Sequence, residues 1–207
     1  MLNGIVEQDG ILYYYENGTT ATYGLFKVGD DYYYSYWGGV IRTDGRYYVG
    51  KTYCDLPVGN YTFGPDGKML DGIVEQDGTL YYYENGTTGT YGMIEYDGDY
   101  YFVNWGGTIK TDGKYYVGTS YCDLPIGNYI FGEDGKVLNG FVTRDGEIYY
   151  YENGKTGRVG LNYIDGYYYF INYDGSLKRN GTYYAWETNG LSVGINYTFD
   201  EYGHVVL

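Results

Sequence analysis

The chain of 207 residues holds a single histidine, His204, and it lies in the tail. Its two cysteines, Cys54 and Cys122, have no histidine near them in sequence, and serine is scarce. Nucleophile–base chemistry of the serine or cysteine type has no inventory here. Acidic pairs do occur, so residue type alone leaves a carboxylate glycosidase open. Asp and Glu sit mainly in turn sequences, however, and an array of hairpins offers no deep cleft. Asp97-Gly98-Asp99 lacks the ligand series and terminal Glu of a calcium loop, and turn formation accounts for it. No enzyme activity, cofactor or metal site is expected.

Basic residues are also few. Lys and Arg number 13 against 27 Asp and Glu, the net charge is −14, and no Lys/Arg cluster appears along the chain. Nucleic-acid binding needs basic residues at phosphates and is excluded. Anionic membrane surfaces and polyanionic wall polymers are disfavoured, while neutral or cationic partners stay open. The acidic excess itself reads first as solubility. No run of about 18 apolar residues exists, so no membrane-spanning segment is expected, and no signal peptide is apparent. Met1-Leu2-Asn3-Gly4 is the repeat partner of Met69-Leu70-Asp71-Gly72, so the chain starts on a repeat boundary. A fragment of a longer protein, or a mature form, is the expectation.

What the chain does have is repetition. Residues 1–68 and 69–136 align without a gap and are identical at 48 of 68 positions; 137–207 continues the register more divergently. A fixed period of this kind predicts a stacked repeat protein. Here it predicts a single array of three repeats, the third ending in a cap over Tyr202–Leu207. Glycine (36) and tyrosine (35) dominate, and aromatic residues make up 22%. Such aromatic content can bury much apolar area, and tyrosine suits a thin fold because its hydroxyl can stay wet.

Asp9-Gly10, Asn17-Gly18, Gly29-Asp30, Gly38-Gly39, Asp44-Gly45 and Asp66-Gly67 are turn signals. Between them lie strand-forming runs: Ile11–Tyr15, Leu25–Val28, Tyr32–Trp37, Tyr47–Val49 and Tyr61–Phe63. No helical apolar period of useful length occurs. The predicted fold is all-β, an elongated solenoid of stacked β-hairpins of about 20 residues with almost no helix. Gly4, Gly24 and Gly45 mark the hairpin starts. In Tyr13-Tyr14-Tyr15 the outer rings share one face and the central ring takes the other, one face serving as spine and one as surface. Tyr53–Asn60 and Tyr121–Asn128 break the rhythm as longer loops carrying Pro; Asn189–Gly194 replaces them in the third repeat. Cys54 and Cys122 are a whole repeat apart, beyond the Cα reach of about 7 Å for a disulfide. Two free, half-buried thiols are expected; bridging between chains would need an oxidising compartment.

The stretch Tyr61-Thr62-Phe63-Gly64-Pro65-Asp66-Gly67-Lys68-Met69-Leu70-Asp71-Gly72, its counterpart Tyr129–Gly140, and Asp97-Gly98-Asp99-Tyr100-Tyr101-Phe102 carry a cadence of aromatic, Asp-Gly-Lys, hydrophobic, Gly. This resembles the cell-wall-binding and glucan-binding repeat superfamily, which includes the choline-binding modules. The resemblance implies a β-hairpin solenoid, an extracellular or cell-surface setting, and non-catalytic attachment to carbohydrate. The choline-binding modules use Trp pairs with a Tyr as a cationic cage, whereas this chain has only Trp37, Trp105 and Trp186.

Trp37 and Trp105 are repeat partners, each followed by Gly-Gly, with Tyr173 at the third position. A flat ring beside glycines leaves room for a sugar ring, and Tyr34, Tyr36 and Phe102 are the neighbouring candidates. The competing reading packs these Trp between hairpins. Trp186 has no Trp partner and reads as local packing, and most Tyr are assigned to the spine. Five Asn-x-Thr sequons fit chance in so Asn-, Gly- and Thr-rich a chain. The function expected is a non-catalytic module that binds neutral polysaccharide or cell-wall glycan. The alternative is a self-assembling stalk, adhesin or fibre segment whose partner is other copies of itself.

Overall fold

The computed structural model describes residues 1–20, 23–186 and 191–206. Two compact units emerge, Met1–Tyr91 with Val103–Ile109, and Gly92–Phe102 with Lys110–Leu207. The described residues are almost entirely β. Copy one contains β1 (Gly4–Gln8), β2 (Ile11–Glu16), β3 (Thr19–Thr20), β4 (Gly24–Val28), β5 (Asp31–Ser35), β6 (Gly45–Val49) and β7 (Gly59–Phe63). Copy two repeats them as β8 (Gly72–Gln76), β9 (Thr79–Glu84), β10 (Thr87–Thr88), β11 (Gly92–Tyr96), β12 (Asp99–Val103), β13 (Gly113–Val117) and β14 (Gly127–Phe131). Copy three holds β15 (Gly140–Arg144), β16 (Glu147–Glu152), β17 (Lys155–Thr156), β18 (Gly160–Ile164), β19 (Tyr167–Ile171), β20 (Gly181–Ala185) and β21 (Ile195–Phe199).

The strands pair as antiparallel hairpins, β1–β2, β4–β5 and β6–β7 in copy one. Each hairpin opens at the glycine expected. Asp9-Gly10 and Asn17-Gly18 both take positive φ at each residue, 51° and 77°, then 52° and 81°. Two successive left-handed residues match the twist of the flanking strands, which is why Asn-Gly and Asp-Gly recur there. Asp66-Gly67 differs: only Gly67 is left-handed, and the Asp66 carboxylate accepts a bond of 3.0 Å from the Lys68 amide.

The strand runs missed two elements, β1 and the short β3. After each hairpin the chain turns and sends back one or two residues: β3 against β2, Ile41 against Ser35, and Met69 against Phe63. The returning residue also reaches the preceding hairpin. Ile41 donates to the Leu12 carbonyl and Met69 to that of Tyr32, both at 2.8 Å. Successive hairpins are therefore joined through backbone bonds as well as side-chain contact. In the tail, Val205 holds the place of Met69, bonded to the Tyr168 carbonyl at 2.9 Å. The tail thus continues the cadence through Val206; Leu207, the end of the expected cap, lies outside the described residues.

Two expectations need correction. Tyr32–Trp37 is not one strand: β5 stops at Ser35, and Trp37–Gly39 is a single 3-10 turn. Nor does the Tyr triplet divide into spine and surface. Tyr13 and Tyr15 do share a face, with centroids 6.3 Å apart, but Tyr14 stacks on Phe26 at 4.2 Å and all three rings are half-buried.

One buried cluster of copy one is Leu25, Tyr34, Val49, Tyr61 and Phe63, completed by Met69 of copy two, and Phe26, Tyr33 and Ile41 form another. Copy three uses the same places: Leu161, Phe170, Ala185 and Phe199. The Pro-bearing loop lies between β6 and β7. It runs back beside β4, with Tyr53 donating to the Leu25 carbonyl at 2.7 Å, and packs Cys54 and Leu56 against the core. Tyr hydroxyls anchor such connections. Tyr47 reaches the Thr43 carbonyl at 2.8 Å and Tyr61 that of Pro57 at 2.7 Å, each ring lying across the glycine two residues earlier. Both thiols are free and half-buried. Asn189 and Gly190 of the divergent loop lie outside the described residues.

Candidate functional site

Trp37 begins a tight turn in which Gly38 and Gly39 both take left-handed φ, 76° and 77°. The Gly39 amide closes the turn on the Tyr36 carbonyl at 3.1 Å. Trp105 stands in the same turn of copy two, where Gly106 and Gly107 have φ of 85° and 84°. The two glycines serve different ends. A Cβ on Gly106 would meet open space, so its need is conformational; one on Gly107 would lie 2.7 Å from the Thr88 side chain, so the backbone needs that approach.

The turn throws the indole outward. Trp37 is 72% exposed and Trp105 is 78% exposed, so the packing reading of these two residues is set aside. Each indole rests on one ring. Trp37 stacks on Tyr23 at 5.4 Å and 13°, and Trp105 on Tyr91 at 4.6 Å and 8°. Such contacts contribute about 0.5–1.5 kcal/mol beyond area burial, enough to restrict where the indole lies. One face of each indole is covered by tyrosine and the other is open to solvent.

Tyr23 is itself held from below. The Tyr34 hydroxyl donates to that of Tyr23 at 3.0 Å, and their rings meet edge-on at 5.7 Å. Burial pushes the Tyr34 phenol well above its ordinary range, with the bond to Tyr23 adding to the shift, so it stays a neutral donor. Tyr36 meets Tyr23 edge-on, and the Arg42 guanidinium lies 4.2 Å over the Tyr36 ring.

Of the residues expected at a site, Trp37, Trp105 and Tyr173 occupy equivalent exposed turns, and Tyr36 is partly exposed beside the first. Tyr34 and Phe102 are each only 3% exposed. As core residues under β4–β5 and β11–β12, they offer no ring face to a ligand. Trp186 is half-exposed and sets its edge on Phe170 at 4.8 Å. Tyr23 and Tyr91, the supporting rings, were missed. Their signal was present: Val159 replaces them in the copy where Tyr173 replaces the Trp. Copy three thus lacks both partners, and the described residues hold two Trp–Tyr stacks.

An indole with one supported and one open face offers a flat apolar platform of sugar-ring size. Tyr36 and Asn104, the residues before the two Trp, supply different polar neighbours in the two copies. No helix among the described residues is long and apolar enough to cross a membrane.

No protein-family model matches the chain, and no curated protein matches it. Among solved structures, CbpJ from Streptococcus pneumoniae TIGR4 is 15% identical, with a TM-score of 0.43 over 98% of this chain and 93% of that one. Choline binding protein F from Streptococcus pneumoniae is 19% identical, with a TM-score of 0.41 over 98% of this chain and 78% of that one. The modular autolysin LytC from Streptococcus pneumoniae is 17% identical, with a TM-score of 0.45 over 85% of this chain and 39% of that one.

Proposed function

We propose that this chain is a non-catalytic, extracellular repeat module that holds neutral polysaccharide of a cell surface or wall. The observation that carries the reading is the pair of outward Trp–Tyr stacks, Trp37 on Tyr23 and Trp105 on Tyr91. Large exposed rings cost solubility and add nothing to the core, yet both copies hold them in one geometry. A sugar ring has an apolar C–H face that fits the open side of an indole and hydroxyls that suit neighbouring polar groups. A single such contact is weak. Two on one chain act together on a polymer that presents the same unit many times. The resemblance to cell-wall-binding repeats supplies the setting.

The test is retention on insoluble polysaccharide, with a neutral α-glucan and purified cell wall as the two matrices. Trp37→Ala with Trp105→Ala is expected to abolish retention on the neutral α-glucan while leaving the chain folded, because both side chains lie outside the core. Each single variant should keep weak retention, since one stack remains. Unchanged retention by the double variant would remove these sites from the account.

A further inference from the structure

A second outward feature recurs along the chain. On the third hairpin of each copy, Tyr48 stands across from Asn60, Tyr116 from Asn128 and Tyr184 from Asn196. These tyrosines are 63%, 62% and 54% exposed, and the three asparagines are exposed beside them. Copy three keeps only 27 of the 68 residues of copy one. Most of those kept are turn residues or core rings, whose retention the fold explains. An outward Tyr–Asn pair is kept in all three copies although it fills no core, and the hydroxyls of Tyr48 and Tyr116 make no hydrogen bond among the described residues.

In copy two this feature borders a cleft of about 300 Å³ lined by Lys114, Asn128, Ile130, Gly154, Lys155 and Thr156. It forms where β14 meets β17, along the bond of 2.8 Å from the Ile130 amide to the Gly154 carbonyl. Its size suits one sugar ring, at the lower end of ligand sites. Its charge runs against that of the protein. Two of only 13 basic residues in a chain of net charge −14 line one small cleft. Neither is in an ion pair among the described residues, whereas Lys68, Lys136, Arg144 and Arg179 all are. Lys155 is held 5.3 Å over the Tyr129 ring.

We propose that this cleft binds a sugar residue bearing one anionic group, a carboxylate or a phosphate. Lys114 and Lys155 meet the anion, Asn128 and Thr156 meet ring hydroxyls, and Tyr116 lies beside the ring. The specificity belongs to the seam between copies two and three. Arg46 and Thr87 stand at the equivalent places at the seam between copies one and two, and Thr182 replaces the first lysine in copy three. The Tyr–Asn ledge is common to all copies, while the pair of ammonium groups is not. This site is independent of the Trp–Tyr stacks and can stand or fall without them.

The test is an amide NMR titration of the full chain at low salt with methyl glucuronide, glucose 6-phosphate, methyl glucoside and inorganic phosphate. At least one anionic sugar should shift Asn128 and Thr156 and bind about fivefold or more tightly than methyl glucoside, the scale of one exposed ion contact. The preference should fade with added salt. Lys114→Ala with Lys155→Ala, both exposed positions, should bring the anionic sugar down to the level of methyl glucoside and leave amides elsewhere unmoved. Which anionic sugar binds tells carboxylate from phosphate. Binding of inorganic phosphate as tight as that of glucose 6-phosphate would reduce the cleft to a bare ion site and overturn the proposal. Equal binding of methyl glucoside, unchanged affinity in the double variant, or no shift at all would overturn it too.

Discussion

Val159→Tyr combined with Tyr173→Trp is expected to raise retention on insoluble neutral polysaccharide by about tenfold or more, because it adds a third platform to a two-platform chain. A turn closed by the same backbone bond stands there, although Asp174, unlike Gly38 and Gly106, is not left-handed. Gly175 takes a φ of 90°, its amide closes on the Asn172 carbonyl at 2.9 Å, and Tyr173 is 76% exposed. What copy three lacks is the ring beneath. Tyr173→Trp alone should therefore gain much less, since an unsupported indole samples many orientations and loses that freedom on binding. Affinity measured on the solid polysaccharide compares the two variants with the native chain. A single variant as good as the double would mean that the supporting tyrosine is dispensable. No gain from either would mean that the stacks are not the binding unit.

Phe131→Ala is expected to cost about 3–5 kcal/mol, the largest effect of any single change considered. Phe131 is fully buried, packs at 6.4 Å from Phe102 and 5.9 Å from Tyr115, and bridges to Val137. Phe63 and Phe199 hold the same place in the other copies. Trp105→Ala should cost about 1 kcal/mol or less, since it removes a surface stack and no core volume. Urea unfolding followed by circular dichroism compares them. Equal costs would place Trp105 in the core and undo the separation between framework and binding surface.

The period of 68 residues, the hairpin starts and the turn residues were legible because each rests on local chemistry. Asp9-Gly10 can hardly form anything but a tight turn, and Gly4, Gly24 and Gly45 each open a strand. The returning residues Ile41 and Met69 were not legible. One or two residues cannot show alternation, and their partners lie in an earlier hairpin. The same limit hid the lysine cleft. Lys114 and Lys155 are 41 residues apart in sequence, so a search for basic clusters along the chain passes over both. Tyr34 is a site candidate only as a neighbour of Trp37 in sequence; the end of β5 at Ser35 puts it and Tyr36 in different environments. Tyr23 was readable in principle, from its loss together with the Trp in copy three.

The most direct test watches the indoles themselves. The chain has three tryptophans, Trp37, Trp105 and Trp186, so three indole N–H signals can be assigned by single substitutions. On titration with a soluble neutral oligosaccharide such as an isomalto-oligosaccharide or a chito-oligosaccharide, the signals of Trp37 and Trp105 are predicted to shift together, while Trp186 stays still. Movement of Trp186 alone, or of none of the three with any neutral glycan that the chain retains, would contradict the account.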